Sequence, residues 1–442
     1  MNRATLSGLD ETHDPALKSW VGSANTSVTD FPIQNLPFGI FSTATDRQKR
    51  VGVAIGDEIL DLQAAFACGA LPELPSPVVS ACGRDALNEL MALDKTQIKA
   101  LRLALSRALR ADAPNTERLA SCLVPQHGAT MHMPARICNY TDFFTSIHHA
   151  QNTGRMIRPN NPLFRNFHTL PVAYHGRASS IRVSGTPCIR PHGQILRDGA
   201  DAPVYAPTEK LDFELELGIF VGQGNALGSP IPIEEAEQRI FGFCLLNDWS
   251  SRDVQRWEAQ PLGPFLAKSF LTSISPWVIT MEALAPFRCA AVERDSEAPA
   301  LVSNLDSRTN REAGGIDISF EVALRTERMR AQAHEATISR STFKDQYWTV
   351  AQMITHHTEN GCCLLPGDLL GSGTVSGPSD QELGSLLELT LDGRRPLSLP
   401  SGEVRSYLED GDEVVLTGRC RREGYISIGF GECAGRIVPR AG

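Results

Sequence analysis

Leu211-Asp212-Phe213-Glu214-Leu215-Glu216-Leu217 alternates apolar and acidic residues without a break. Read as a strand, it sets Leu211, Phe213, Leu215 and Leu217 on one face and Asp212, Glu214 and Glu216 on the other. Like charges along one face of a strand repel, and a half-buried sheet normally avoids them. Such a face either looks into water or fronts a cation. Hard cations such as Mg²⁺ and Ca²⁺ are held by carboxylate oxygens, which two neighbouring glutamates supply. Taken alone, the stretch reads better as a solvated strand face. Its flanks reverse that preference.

Upstream, Asn139-Tyr140-Thr141-Asp142 runs into Phe143-Phe144-Thr145-Ser146-Ile147-His148-His149. Asp142 is expected to cap a short helix, with His149 about two turns on and near the same face. A capping aspartate and incidental histidines would explain that segment by itself. Downstream, the apolar run Leu245-Leu246-Asn247 ends in Asp248, and strand ends are where sites tend to be built. Asp142, Glu214, Glu216 and Asp248 together would make an oxygen shell that selects magnesium or calcium over zinc. Tyr174 and Arg177, Gln255, and Lys268 bring polar groups into apolar or glycine-rich surroundings. Each is structural on its own terms; together they offer an anion-binding, oxyanion-stabilising pocket. The residues alone therefore point to metal-assisted chemistry on an anionic small molecule.

The bulk properties fit that reading. A chain of 442 residues is expected to form two domains, and 42% hydrophobic with 21% charged residues marks an ordinary globular protein. A formal net charge of −9 gives no electrostatic reason to bind nucleic acid or an anionic membrane. No apolar run reaches the roughly 18 residues a spanning helix needs, and the polar N-terminus lacks a secretory core. The eleven cysteines are odd in number and dispersed, with no CxxC, and Cys362-Cys363 are adjacent. Buried reduced thiols and a cytoplasmic location are expected.

Along the chain, residues 1–25 read as a loosely ordered arm. A hairpin is expected around Gly56-Asp57, joining Val51-Gly52-Val53-Ala54-Ile55 to Ile59-Leu60-Asp61-Leu62. Asp94 with Gln97 is placed to cap a helix carrying Ile98, Leu101, Leu105 and Leu109 on one stripe. Residues 111–121 read as a linker and 293–315 as a surface excursion. Alternation over 316–324 and closing strands near 412–417 and 424–430 make the C-terminal part mostly β.

The order of short motifs resembles the fumarylacetoacetate hydrolase family. Those motifs include Tyr140-Thr141-Asp142-Phe143, Tyr174-His175-Gly176-Arg177-Ala178-Ser179-Ser180, Asn247-Asp248-Trp249-Ser250, Pro261-Leu262-Gly263-Pro264-Phe265-Leu266, Lys268-Ser269-Phe270, Pro366-Gly367-Asp368-Leu369-Leu370 and Ser372-Gly373-Thr374. The resemblance spans roughly 140–438. It implies a mainly β fold with some α: a small N-terminal SH3-like β-barrel domain over 26–125 and a larger C-terminal β-sandwich or β-roll catalytic domain over 126–442, pairing as a homodimer. It further implies metal-dependent hydrolysis of a C–C bond in a β-diketo acid, 4-fumarylacetoacetate, to fumarate and acetoacetate in tyrosine and phenylalanine degradation. By match to the family's motifs, Asp142, Glu214, Glu216 and Asp248 hold a calcium or magnesium ion, with a further magnesium contact at Lys268 and Thr272. His149 matches the general base and Glu388 the carboxylate that orients it; Lys268 and Gln255 match the groups around the oxyanion. Arg158, Tyr174, Gln255 and Thr374 match substrate contacts.

Two positions depart from that pattern. Phe144 and Ala259 stand where substrate-contacting tyrosines are expected, so two hydroxyl donors are missing. Sites built on hydrogen bonds to substrate discriminate strongly, so substrate choice is expected to be less fixed than reaction type. The rival readings are a tautomerase or decarboxylase of a related acylpyruvate or oxo acid, and a non-catalytic metal-binding scaffold. A His149–Glu388 pair argues for hydrolysis, and an intact acid shell argues against a scaffold, since buried carboxylates without an ion would destabilise the fold.

Overall fold

The hairpin expected at Gly56-Asp57 forms, with Ile55 opposite Glu58 across the turn and Gly56 at φ 61°, where the lack of a Cβ removes the steric penalty. The computed structural model describes residues 8–114 and 116–440. Strands Arg50–Ile55 and Glu58–Asp61 join Phe38–Thr43, Leu123–Pro125 and Ala129–His132 in a five-stranded antiparallel sheet. Its apolar side chains, Ile40, Val51, Val53 and Leu60 among them, share one core with Ile98, Leu101, Leu105 and Leu109 of the helix Lys95–Leu109. Asp94 caps that helix and Gln97 returns the bond, as the sequence pattern predicts.

From residue 8 on, the segment expected as a loose arm is ordered. Residues 1–7 lie outside the described part, but from residue 8 the chain is docked on the N-terminal core. Two short 3-10 turns form, Glu11–His13 and Gly22–Asn25. Arg102 explains the docking: this buried guanidinium donates to Thr12 Oγ1 and to the carbonyls of Gln34 and Asn35. A charge taken out of water needs such acceptors, and the N-terminal segment supplies one of them. The expected linker over 111–121 likewise contains the helix Thr116–Ala120, pinned by buried Leu119.

A central sheet divides the molecule. Its strands run, in spatial order, Ala173–His175, Tyr140–Phe143, Leu369–Gly371, Leu215–Val221, Ile240–Asp248, Thr272–Ile274 and Ile181–Val183. The two long middle strands are buried along their whole length, which is the mark of a sheet covered on both faces. Successive residues of Ile240–Asp248 enter different cores: Phe243 and Leu245 one, Cys244 and Leu246 the other. Beyond lies a second five-stranded sheet that includes Ser319–Arg325, Glu413–Cys420 and Ile428–Val438. Its strand Ser319–Arg325 buries Phe320, Val322 and Leu324 and leaves the alternate residues more open. The expected surface excursion over 293–315 is mostly exposed and is anchored at points: the Arg294 guanidinium stacks 4.5 Å over Tyr347, and Leu305 and Asn310 are buried.

The acidic stretch is the main departure from the sequence reading. It is not one strand. Leu211–Asp212 pairs with Ser250–Ser251, and the chain then shifts at Phe213-Glu214 before Leu215 takes its place opposite Asn247. Every residue of the stretch is buried, so no acidic face meets solvent. All eleven cysteines are free thiols, six of them buried. Among the described residues, no helix is long and apolar enough to cross a membrane.

Candidate active site

Neighbouring strands of the central sheet bring Asp142, Glu216 and Asp248 together, with oxygens within 4.8 Å of one another. Asp142 sits on the strand Tyr140–Phe143, and the helix cap expected of it falls instead to Ser146, whose hydroxyl accepts from His149 N. Strand pairing explains the convergence. Gly371 lies opposite Asp142 on one side and opposite Gly218, two residues from Glu216, on the other. A Cβ at Gly371 would meet Asp142 Oδ1 at 2.6 Å, Glu216 Oε2 at 2.8 Å and the Tyr140 hydroxyl at 2.9 Å. The missing side chain is what lets the two carboxylates face each other across the intervening strand.

This cluster is electrostatically incomplete. Asp142 Oδ1 and Glu216 Oε1 are buried and have no hydrogen-bond partner among the described residues. Burial first, and then the neighbouring carboxylates, push Asp142 and Glu216 well above the ordinary carboxylate range. Burial also raises Asp248, against the pull of the Lys268 ammonium. Orphaned buried carboxylate oxygens are costly, and a hard divalent cation supplies what they lack. The donor set fits such an ion.

Glu214 stands beside that group, outside the three whose oxygens lie within 4.8 Å of one another. Its carboxylate is taken up by cations: Arg252 Nη1 at 2.7 Å and a short bond from Lys268 Nζ. Burial works against its charge, but Lys268, Arg252 and His149 more than compensate and hold it below the usual range. Of the four expected carboxylates, three converge within 4.8 Å, and the fourth, Glu214, is salt-bridged to Lys268, which also holds Asp248. Lys268 Nζ also donates to Asp248 Oδ2 at 2.7 Å, and Thr272 Oγ1 donates to Asp248 Oδ1 at 3.3 Å. Both residues thus act on Asp248 with their side chains. Although burial disfavours the ammonium, Asp248 and Glu214 keep Lys268 protonated.

His149 lies on the helix Ile147–Ile157 and Glu388 on the single turn Leu386–Leu389. Glu388 Oε2 accepts from His149 Nδ1 at 2.7 Å, which leaves the free lone pair on Nε2. Ser376 and Ser385 donate to the same oxygen at 2.9 Å each, and Asn152 donates to the other at 3.0 Å. Burial would raise Glu388, yet the adjacent His149 ring and these donors keep it below its ordinary value. The pair is buried, and a histidine held by a carboxylate in this way is an arrangement that can serve as a base.

The remaining expected contacts are spread around this centre. Tyr174 donates to Asp248 Oδ2 at 3.1 Å. Thr374 is buried one residue beyond Gly373, whose N–H donates to Glu216 Oε2 at 3.1 Å. Gln255 is half-buried on the helix Arg252–Glu258, its carbonyl engaged by Arg252 at 3.1 Å and its amide nitrogen free. A cavity of about 350 Å³ opens beside the helix Ile147–Ile157, lined by Phe144, Ala150, Arg158, Leu163, Phe164, Phe167 and neighbours. Arg158 stacks 3.9 Å over Phe164, and the Phe144 ring meets His149 edge-on at 5.3 Å. Ala259 caps the end of the Arg252–Glu258 helix and does not line that cavity. Of the two departures from the family pattern, Phe144 lines that cavity and Ala259 does not.

Sequence reasoning missed Gly371, Arg252, Ser376, Ser385 and Asn152. Ser385 is the one with a legible signal, a Ser-x-x-Glu helix start. Gly371 and Arg252 carry no local pattern, because each acts on residues distant in the chain.

Two family models match the chain: Fumarylacetoacetase N-terminal over residues 34–134 and Fumarylacetoacetate (FAA) hydrolase C-terminal over residues 137–438. The fumarylacetoacetases of Bos taurus and Homo sapiens are each 48% identical over 416 residues, covering 93% of this chain and 97% of the relative. That of Arabidopsis thaliana is 44% identical over 428 residues, covering 96% and 99%.

Proposed function

This chain belongs to the fumarylacetoacetate hydrolase family, and from that membership we propose that it hydrolyses 4-fumarylacetoacetate to fumarate and acetoacetate, the last step of tyrosine and phenylalanine degradation. The observation that carries the reading is the buried His149–Glu388 pair, 2.7 Å apart, in the same interior as an acid cluster with unpartnered oxygens. His149 Nε2 takes a proton from the attacking water while Glu388 fixes the tautomer and balances the imidazolium. Water adds to the carbonyl beside the fumaryl group, and Lys268 with the free amide of Gln255 steadies the oxyanion. Collapse releases fumarate and leaves the acetoacetate enolate, which is protonated at carbon. Asp142, Glu216 and Asp248 would hold a divalent ion, calcium or magnesium, whose charge supplies Lewis-acid stabilisation for so poor a leaving group. Arg158 and Tyr174 grip a substrate carboxylate, the planar guanidinium favouring a bidentate hold.

A second reading concerns the substrate. The wall beside His149 is the hydrocarbon ring of Phe144, and the adjoining cavity is lined mostly by apolar side chains. That supports turnover of other acylpyruvates or β-diketo acids by the same chemistry. The finer features implied by kinship, an SH3-like N-terminal barrel, a β-roll C-terminal domain, a homodimer and a cytoplasmic location, belong to the same proposal.

The test is product analysis with wild type and His149→Ala in the presence of Mg²⁺. Hydrolysis yields fumarate and acetoacetate in equal amounts, lost in the variant. Release of carbon dioxide, or full activity in the variant, contradicts the reading. A faster turnover of another acylpyruvate than of fumarylacetoacetate would favour the second reading.

A further inference from the structure

The buried carboxylate of Asp212 has no part in the acid cluster, although it begins the same sequence pattern. Its Oδ1 accepts from Leu386 N at 2.7 Å and its Oδ2 from Leu387 N at 2.9 Å. The same Oδ2 accepts from Arg252 Nε at 2.8 Å, and Arg252 reaches on to Glu214. Leu387 is the residue before Glu388. One side chain therefore ties the turn that presents Glu388 to the guanidinium that holds Glu214.

We propose that Asp212 is a positioning residue for the reaction: it fixes the turn Leu386–Leu389, and with it Glu388 and the His149 ring, relative to the Lys268–Glu214 pole. The proposal rests on His149 and Glu388 acting as base and orienting carboxylate. A single helical turn has too few internal hydrogen bonds to hold its own shape. Its first amides need an outside acceptor, and an ionised carboxylate is a strong one. The backbone reinforces the same junction: Glu214 bridges to Ser385, and Leu215 N donates to Gly384 O at 2.9 Å. The shift of the chain at Phe213-Glu214 then has a purpose. It points Asp212 at the Glu388 turn while Glu216 stays with the cluster, so one short segment sets the distance between the two halves of the site. Misplacement of a catalytic pair by about 1 Å can cost on the order of 100-fold in rate.

Asp212→Asn puts an amide NH₂ against the donors of Arg252 or Leu387 and breaks the link without removing bulk. The experiment is a double-mutant cycle with Glu388→Gln on fumarylacetoacetate turnover, with Mg²⁺ affinity read separately by calorimetry. Asp212→Asn is expected to lower kcat about 10- to 100-fold, with KM and Mg²⁺ affinity within about threefold of wild type. In the Glu388→Gln background the further loss in kcat is under about threefold, because the group being positioned is already disabled. Losses that multiply in the double variant, a kcat within threefold of wild type, or a parallel loss of Mg²⁺ binding each overturn the proposal. Asp212→Glu keeps the charge and shifts the grip by one methylene; it must give the same kcat-only loss, and it decides the matter if Asp212→Asn does not fold. Full activity of Glu388→Gln and His149→Ala themselves would sink the underlying reading instead, and that outcome is visible in the same data.

Discussion

The surroundings of Glu388 and of Glu216 are opposites. Around Glu388 both oxygens are engaged, by His149, Ser376, Ser385 and Asn152, and the carboxylate stays ionised although it is buried. Around Glu216 one oxygen accepts from Gly373 N while the other has no partner, and burial with its acidic neighbours drives it toward the protonated form. The first arrangement is complete in the protein alone and preorganises a base. The second is complete only with a positive charge added. A site divided this way should fail in two distinguishable manners, one that leaves ion binding intact and one that removes it.

The largest effect is expected in the complete half. His149→Ala should lower kcat by about 10³-fold, the range for loss of a general base, with Mg²⁺ affinity unchanged by calorimetry. A parallel loss of ion binding would erase the distinction between the halves. Next comes Gly371→Ala in the incomplete half. Its methyl would lie 2.6 Å from Asp142 Oδ1 and 2.8 Å from Glu216 Oε2. The two side-chain tips can swing aside, so folding survives, but Mg²⁺ affinity should drop about 10- to 100-fold. Wild-type affinity in this variant would show that the carboxylates do not work as a set.

The halves also differ in the sign of their pH dependence. Asp142, Glu216 and Asp248 have raised pKa values when folded. Without metal the folded state therefore binds more protons than the unfolded chain between the ordinary and the raised values, and stability falls as pH rises through that window. EDTA-treated protein should melt at progressively lower temperature from about pH 4 upward, and saturating Mg²⁺ should flatten the slope. Glu388, held below its usual value, works the other way: its contribution is complete above the ordinary carboxylate pKa and disappears as pH falls through its folded value. Melting curves against pH for wild type with EDTA, wild type with Mg²⁺ and Glu388→Gln separate the two. The smallest effect is expected from Phe144→Tyr, which restores one donor beside His149. It should change kcat/KM for fumarylacetoacetate relative to other acylpyruvates by less than about tenfold, since one hydroxyl at the edge of a pocket is not a buried recognition network.

Much of the fold, and the strand that ends in Asp248, is legible in the residues because those parts are local. The Asp94-Gln97 cap, the Gly56 hairpin and the apolar run ending at Asp248 each follow from a few neighbouring residues. Strict alternation over 211–217 correctly puts Leu211, Phe213, Leu215 and Leu217 in one core but fails for the acidic side chains. It describes which side chains could share a face, and it cannot register the shift at Phe213-Glu214 that leaves Asp212 on Arg252 and the Glu388 turn, Glu214 between Arg252 and Lys268, and Glu216 with Asp142 and Asp248. Asp142 was misread as a cap for a related reason: an aspartate just ahead of a helix satisfies the local pattern, but Ser146 is nearer the first free amides. Gly371 was invisible, because its role is to be absent between two carboxylates that come from other strands. Long-range charge balance is where local reading stops.

The most direct test of the incomplete half is diffraction from crystals soaked in Mn²⁺, with an anomalous difference map of wild type and of Gly371→Ala. A peak within coordination reach of Asp142, Glu216 and Asp248 in wild type, much weakened in the variant, is the predicted result. No peak there at saturating Mn²⁺, or an ion seated instead on Glu214 with Lys268 displaced, would contradict the account.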